Sequence, residues 1–224
     1  MTDQVTGFTR AQMAARVAAD ITDGWYVNLG VGIPTLVADH VPEDKEFILH
    51  SENGILGLGK RPPGDAIDPW LVNAGKEYVT LKPGGSITDQ ATSFAMIRGG
   101  HIDLCVLGAF EVSENGDLAN WTLNANERVP AVGGAMDLSA GAKRIWVMTE
   151  HVSRTGDPKI VKACRYPLTA LGVVKRIYTD LAVMNVTSEG LEVLDLAPGI
   201  DLDLVQARTG AELRWSDDAT GRHG

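Results

Sequence analysis

Glu52 is the residue in this sequence best placed to do chemistry on its own. It follows Glu46-Phe47-Ile48-Leu49-His50, which reads as a strand, and precedes Asn53-Gly54, residues that accept unusual backbone angles. In open α/β sheets, ligands bind at such carboxyl ends of strands. A glutamate with an unperturbed pKa of ~4.3 is ionised at neutral pH and can attack a carbonyl without a general base. The same placement also suits a carboxylate that only accepts hydrogen bonds from its own turn, and spacing leaves both readings open. Gly30 and Gly32 form Gly-x-Gly ahead of a helix, a pattern that can bring backbone N–H groups near an anion. Thr35 occupies the last position of what would be a dinucleotide fingerprint, which disfavours nicotinamide binding. His50, His101 and His151 lie far apart without an HExxH companion, so they read as structural or near-site residues and no metal site is expected. Ser51 reads as a turn former, and Trp70, Trp121 and Trp146 as core or interface anchors.

The elements that must position Glu52 follow from periodicity. Thr9 and Gln12 resemble a capping box, and Met13, Ala14, Val17, Ala18 and Ile21 recur at helical spacing until Asp23-Gly24. A strand over Trp25 to Leu29, a turn at Gly30, Gly32 and Pro34, and a helix over Thr35 to His40 follow. Gly59 to Trp70 reads as a loop, Val79 to Leu81 as a strand, and Thr88 as the cap of a helix ending at Gly99-Gly100. Asp103 to Gly108 and Arg144 to Thr149 read as buried strands, with a glycine turn over Val132 to Asp137 between them. Leu181 to Thr187 and Leu191 to Leu196 flank Ser188-Glu189-Gly190 as a hairpin, and Asp201 to Thr209 reads as a closing helix. The alternation gives an α/β fold with a mixed, mainly parallel sheet flanked by helices. One domain over 1–215 and a polar C-terminal tail over 216–224 are expected.

Composition narrows the partners. A formal charge of -9 argues against nucleic acid or an anionic membrane, both of which call for a basic face. No apolar run reaches the ~20 residues that span a bilayer, and the first ten residues lack an apolar signal core, so a cytoplasmic protein is expected. Cys105 and Cys164 have neither CxxC nor metal spacing and read as buried, reduced thiols.

Leu49-His50-Ser51-Glu52-Asn53-Gly54-Ile55-Leu56-Gly57 resembles the signature around the catalytic glutamate of family I CoA-transferases, in their β subunit. Val27 to Pro34, Val72 to Lys76, Phe94 to His101, Gly116 to Trp121, Gly133 to Leu138 and Tyr166 to Thr169 resemble that family in the same order, so the likeness covers nearly the whole chain. It implies the CoA-transferase-like fold shared with the NagB and RpiA proteins. It implies Glu52 as nucleophile, Gly133 as a backbone donor to the oxyanion, and Asn28 and Lys76 as residues that contact CoA or organise its pocket. Without the resemblance, Lys76 would read as a solvated surface lysine. It further implies no tightly bound cofactor, with coenzyme A as substrate and covalent intermediate, and ping-pong turnover. The chain lacks the Gly-x-Gly-Gly-Phe signature of the other subunit, so an α subunit is expected to complete the site.

Within the family, Val129 to Gly134, Leu107 to Phe110 and Arg144 to Met148 look more like the 3-oxoadipate branch of aromatic degradation than the ketone-body branch. Succinyl-CoA and a 3-oxoacid are then the substrates, with acetoacetate or acetate/butyrate as alternatives. Gly85 to Gln90 departs from many members and leaves another acid open. An isomerase or acyl-CoA hydrolase of the same fold, or a non-catalytic metabolite-binding protein, are the readings from other classes.

Overall fold

Thr9 and Gln12 start the first helix. In the computed structural model, which describes residues 7–42, 44–123 and 132–216, the Thr9 N–H donates to Gln12 Oε1 at 2.8 Å and the Gln12 N–H donates to Thr9 Oγ1 at 3.2 Å. This reciprocal cap satisfies two N–H groups that the helix cannot. Helix α1 runs over Arg10–Asp20. Its expected stripe of Met13, Ala14, Val17 and Ala18, with Ile21 beyond it, is fully buried, each large aliphatic side chain contributing ~1.5–3 kcal/mol of burial.

The chain divides into two compact units, one of Ala14–Gly108 and Gly134–Ile145, the other of Met1–Met13, Ala109–Gly133 and Trp146–Gly224. In the first, strands β1 (Tyr26–Leu29), β2 (Ile48–Ser51), β3 (Ile55–Leu58), β4 (Leu81–Ile87) and β5 (Leu104–Leu107) are ordered β4-β3-β2-β1-β5. Strand β1 runs parallel to both β2 and β5, while β3 and β4 add antiparallel. All four residues of β5 are buried, as its unbroken apolar run requires. Helices α2 (Gln90–Arg98) and α3 (Gly134–Gly141) belong to this unit, with a 3-10 helix over Ile33–His40.

The second unit holds a small sheet of β6 (Glu111–Ser113), β7 (Leu118–Ala119) and β9 (Ile160–Val161). Strands β8 (Ile145–Met148), β10 (Val174–Tyr178), β11 (Ala182–Thr187), β12 (Gly190–Leu196) and β13 (Leu213–Trp215) follow one another in the order β8-β10-β11-β12-β13. The expected hairpin is β11 with β12, closed at Thr187 opposite Gly190. Helix α4 covers Leu202–Ala207, capped by Asp201. His151 is fully buried between the Thr179 and Thr209 hydroxyls, 2.9 Å from each, and burial lowers its pKa to about 4. Both ring nitrogens are thus engaged by hydroxyls within its own unit. Each unit is mixed α/β, with parallel pairs β2-β1-β5 in the first and β12-β13 and β6-β9 in the second. Among the described residues no helix is long and apolar enough to cross a membrane.

Several boundaries differ from the sequence expectation. The strand expected over Val79 to Leu81 is instead Leu81–Ile87, and it contains Pro83, Gly84 and Gly85. These residues suit it because, among the described residues, β4 is the last strand of its row and pairs only with β3. Helix α2 is capped by Asp89, whose carboxylate accepts from Thr92 N–H at 2.8 Å, and not by Thr88. Thr88 is engaged elsewhere, its N–H donating to the Gly54 carbonyl at 2.8 Å. The segment expected as a glycine turn over Val132 to Asp137 turns only at Gly133 and then becomes α3. Helix 35–40 is a 3-10 helix that begins at Ile33. Cys105 is buried and Cys164 half-buried, both free thiols. Of the expected tail, Ser216 is buried and 217–224 lie outside the described residues.

Candidate active site

Strand β2 ends at Ser51, and the chain reverses at once through Glu52 and Asn53 into β3. The Gly54 N–H donates to the Ser51 carbonyl at 2.9 Å. Gly54 sits at φ 110°, and a Cβ there would run into the Thr88 carbonyl, so only glycine fits. Glu52 therefore stands at the carboxyl end of a parallel strand, half-buried, as its sequence context suggests.

Its carboxylate lies on Gly134, the first residue of α3. A Cβ built at Gly134 would fall 2.9 Å from Glu52 Cδ and closer still to Oε2. The Glu52 pKa is raised, first by burial and then by the negative charge of Asp137 in α3. Arg98 of α2 pairs with Asp137, Nε to Oδ1 at 2.6 Å, and offsets part of that field. The Cys105 thiol is fully buried, and its pKa is raised by burial and then by Glu52, so it stays protonated and cannot compete as a nucleophile.

Beneath the turn, Asn28, His50 and Cys105 are partners in register across β1, β2 and β5. Asn28 Nδ2 lies 3.1 Å from His50 Nδ1 and donates to the His50 carbonyl at 3.3 Å. His50 Nε2 lies 2.9 Å from Ser93 Oγ of α2, and Ser93 Oγ donates to the Ser51 carbonyl at 3.4 Å. The Cys105 thiol donates to Asn28 Oδ1 at 3.6 Å. Each of these side chains is buried, and burial lowers the His50 pKa to about 4, so its ring is neutral.

On the outer side, a loop is strapped to both neighbours of Glu52. Ser51 Oγ accepts from the Ala74 N–H at 2.9 Å, and Asn53 Nδ2 donates to the Val72 carbonyl at 2.8 Å. This loop carries Lys76, exposed and, among the described residues, the one non-glycine at positive φ, 63°. The left-handed conformation is uncommon for lysine, and such angles gather at functional sites. It is held by Asn73, whose Oδ1 accepts from the Glu77 N–H at 3.0 Å and whose Nδ2 donates to Glu77 Oε2 at 3.1 Å. A small cleft of about 50 Å³ opens beside the loop, lined by Leu29, Val31, Thr35, Ser51, Leu58 and Gly75 among others.

The structure thus gathers Glu52, Asn28 and the Lys76 loop around the end of β2. Gly32 takes φ 97° and starts the 3-10 helix, while the Gly30 N–H is engaged by the Val106 carbonyl at 2.8 Å, so Gly30 serves the sheet and does not offer that N–H to an anion. Gly133 takes φ 69°, directly ahead of α3. His101 is exposed and Trp70 is 92% exposed, whereas Trp146 is buried. Gly134, Asp137, Arg98 and Ser93 were not legible as site residues. Gly134, Asp137 and Arg98 lie in stretches that resemble the family, and the signal at Ser93 is a polar residue one helical turn from Ile97 on the buried face of α2.

Residues 10–208 match the family described as "Coenzyme A transferase". The chain is 55% identical over 205 residues to a 3-oxoadipate CoA-transferase subunit of Pseudomonas putida, covering 92% of this chain and 96% of that one. It is 47% identical over 203 residues to a succinyl-CoA:3-ketoacid coenzyme A transferase subunit of Helicobacter pylori, covering 91% and 97%. The crystal structure of an acyl-CoA transferase from Escherichia coli O157:H7 matches with a TM-score of 0.70 at 21% identity, a likeness of fold. That match covers 94% of this chain but only 42% of the longer protein.

Proposed function

Because this chain belongs to the coenzyme A transferase family, we propose that it is the catalytic β subunit of a 3-oxoacid CoA-transferase that moves CoA from succinyl-CoA to 3-oxoadipate through a thioester on Glu52. The observation that carries this reading is the half-buried carboxylate of Glu52 at the end of β2, lying on a glycine at the start of a helix. The Glu52 carboxylate attacks the acyl-CoA carbonyl, and the C–S bond breaks to give a glutamyl-acyl anhydride and CoA thiolate. The thiolate attacks the glutamyl carbonyl, the donor acid leaves as carboxylate, and CoA is left on Glu52 as a thioester. The acceptor acid then reverses both steps, so thioester energy is conserved while water is kept out. Each tetrahedral step puts charge on an oxygen, and the backbone N–H of Gly133 is our candidate donor to it. An α subunit completes the site, in keeping with the two relatives, each of which is named as one subunit of its transferase. The free thiols suit a reducing compartment, and we place the enzyme in the cytoplasm.

The test is to incubate the complex of this chain and its α subunit with succinyl-CoA, reduce with borohydride and locate the modified residue by mass spectrometry. Reduction of Glu52 to the alcohol is expected, since a thioester is reduced and a free carboxylate is not. Unmodified Glu52 under full turnover would overturn the mechanism. The likeness to the Helicobacter pylori succinyl-CoA:3-ketoacid enzyme supports a second 3-ketoacid as acceptor, and acetoacetate is our candidate for it. Competition between the two acids decides the substrate.

Lys76 gives a separate expectation. An exposed cation on a braced loop beside the nucleophile suits the anionic groups of CoA, in a chain whose overall charge repels them. Lys76→Gln is expected to raise KM for succinyl-CoA by about 10-fold to 100-fold, the loss of one charge-assisted bond, with kcat within a few fold of wild type. An unchanged KM would remove Lys76 from the CoA pocket.

A further inference from the structure

The buried polar row beneath Glu52 has one hydrogen-bonding direction, and chemistry fixes it. Asn28 Nδ2 is a donor only, so at 3.1 Å His50 Nδ1 must accept. Turning the amide over would set its oxygen against the His50 carbonyl, which now accepts from Nδ2 at 3.3 Å. With Nδ1 accepting, the neutral ring carries its proton on Nε2 and donates it to Ser93 Oγ at 2.9 Å. The Ser93 hydroxyl is then left to donate to the Ser51 carbonyl. At the far end, Asn28 Oδ1 accepts from the Cys105 thiol. The row therefore runs Cys105, Asn28, His50, Ser93, Ser51, every step with donor facing acceptor.

Its terminus matters most. The Ser51 carbonyl that receives Ser93 is the same carbonyl that closes the Glu52 turn by accepting from Gly54 N–H. Ser93 lies on α2, Asn28 on β1 and Cys105 on β5, so the row ties the turn to three other elements. Satisfied networks of this kind rigidify, because each buried group would be costly to leave unpaired.

We propose that His50 and Ser93 are positioning residues for the nucleophile, holding the Glu52 turn through the directed row from Asn28 to the Ser51 carbonyl. This rests on the reading of Glu52 as the nucleophile. Neither side chain need touch substrate. Losing the row lets the turn shift, which slows attack and admits water to the glutamyl thioester.

The experiment compares Ser93→Ala, Ser93→Cys, His50→Gln and His50→Asn in the complex with the α subunit. It reads kcat, KM for succinyl-CoA, the ratio of CoA hydrolysis to transfer, and the unfolding midpoint. Ser93→Ala is expected to lower kcat by about 10-fold to 100-fold, since a misplacement near 1 Å costs ~10²-fold, with KM within about twofold and a raised hydrolysis ratio. Ser93→Cys, nearly the same size with a weaker donor, should fall between Ser93→Ala and wild type; it also stands in if Ser93→Ala fails to assemble. His50→Gln can still donate to Ser93 from its amide, whereas His50→Asn reaches only Asn28, so His50→Gln should keep the higher kcat. Wild-type kcat and hydrolysis ratio in folded variants, with only the midpoint lowered, would overturn the proposal and leave a structural role. Equal kcat in the two His50 variants would overturn it too. Glu52→Ala in the same assay separates the two failures: full activity there sinks the nucleophile itself, and loss there beside unaffected row variants sinks this inference alone.

Discussion

Glu52→Gln is expected to abolish CoA exchange, by more than about 10⁴-fold as for removal of other enzyme nucleophiles, and at the same time to raise the unfolding midpoint at neutral pH. The second effect follows from the residue's environment. Burial, with Asp137 adding to it, raises the Glu52 pKa above its ordinary value. The folded protein therefore holds this proton more tightly than the unfolded chain does. Ionising Glu52 costs folding free energy, and that cost is absent below the unfolded pKa of ~4.3, grows as pH rises toward the folded pKa, and is complete above it. Glutamine keeps the shape without the charge. The stabilisation should be largest at neutral pH and disappear in scans taken near pH 4. A catalytic group held at a cost to stability behaves this way, and a glutamate that only accepts bonds from its own turn does not. Loss of activity with a lowered midpoint at pH 7 would return Glu52 to that second reading. In the wild type, the acid limb of kcat/KM should fall above the ordinary carboxylate range, because the protonated carboxyl cannot attack.

How much of this was legible depends on whether local pattern or tertiary register sets the feature. Helix α1 announced itself because its cap and its stripe from Met13 to Ile21 are local. Strand β5 was readable from four consecutive apolar residues, and the β11–β12 hairpin from its Ser188-Glu189-Gly190 break. Strands β3 and β4 were obscured by Gly57, Pro83, Gly84 and Gly85. Gly57 is at φ 84°, where a Cβ would meet Gly85 Cα, so the pair interlocks through missing side chains rather than apolar alternation. The Glu52 turn was visible because strand and glycine are adjacent in the chain. The row beneath it was not. Asn28, His50 and Cys105 become neighbours only through the register of three parallel strands, and Ser93 joins them from a helix. Nothing at any one of these positions signals a polar row.

Gly134 shows the same limit. The family resemblance drew attention to Gly133, yet it is Gly134 that leaves no room for a side chain beside the Glu52 carboxylate. An alanine at Gly134 adds a methyl group whose obstacle is the far end of a flexible side chain, not backbone, so folding should tolerate it. The position starts a helix, where alanine is favoured over glycine by at most ~1 kcal/mol. Stability should therefore hold or rise slightly while the carboxylate is pushed off its place. Displacement near 1 Å at a reacting atom costs ~10²-fold, and Gly134→Ala is expected to lose about that much kcat, with KM for succinyl-CoA little changed and an unfolding midpoint at or above wild type. Removing the carboxylate removes the collision, so the midpoint gained by Gly134→Ala should be larger in a Glu52→Ala background than in the wild type. Additive midpoints in the double variant, or full kcat in Gly134→Ala, would mean that the carboxylate does not lie against α3 when it reacts.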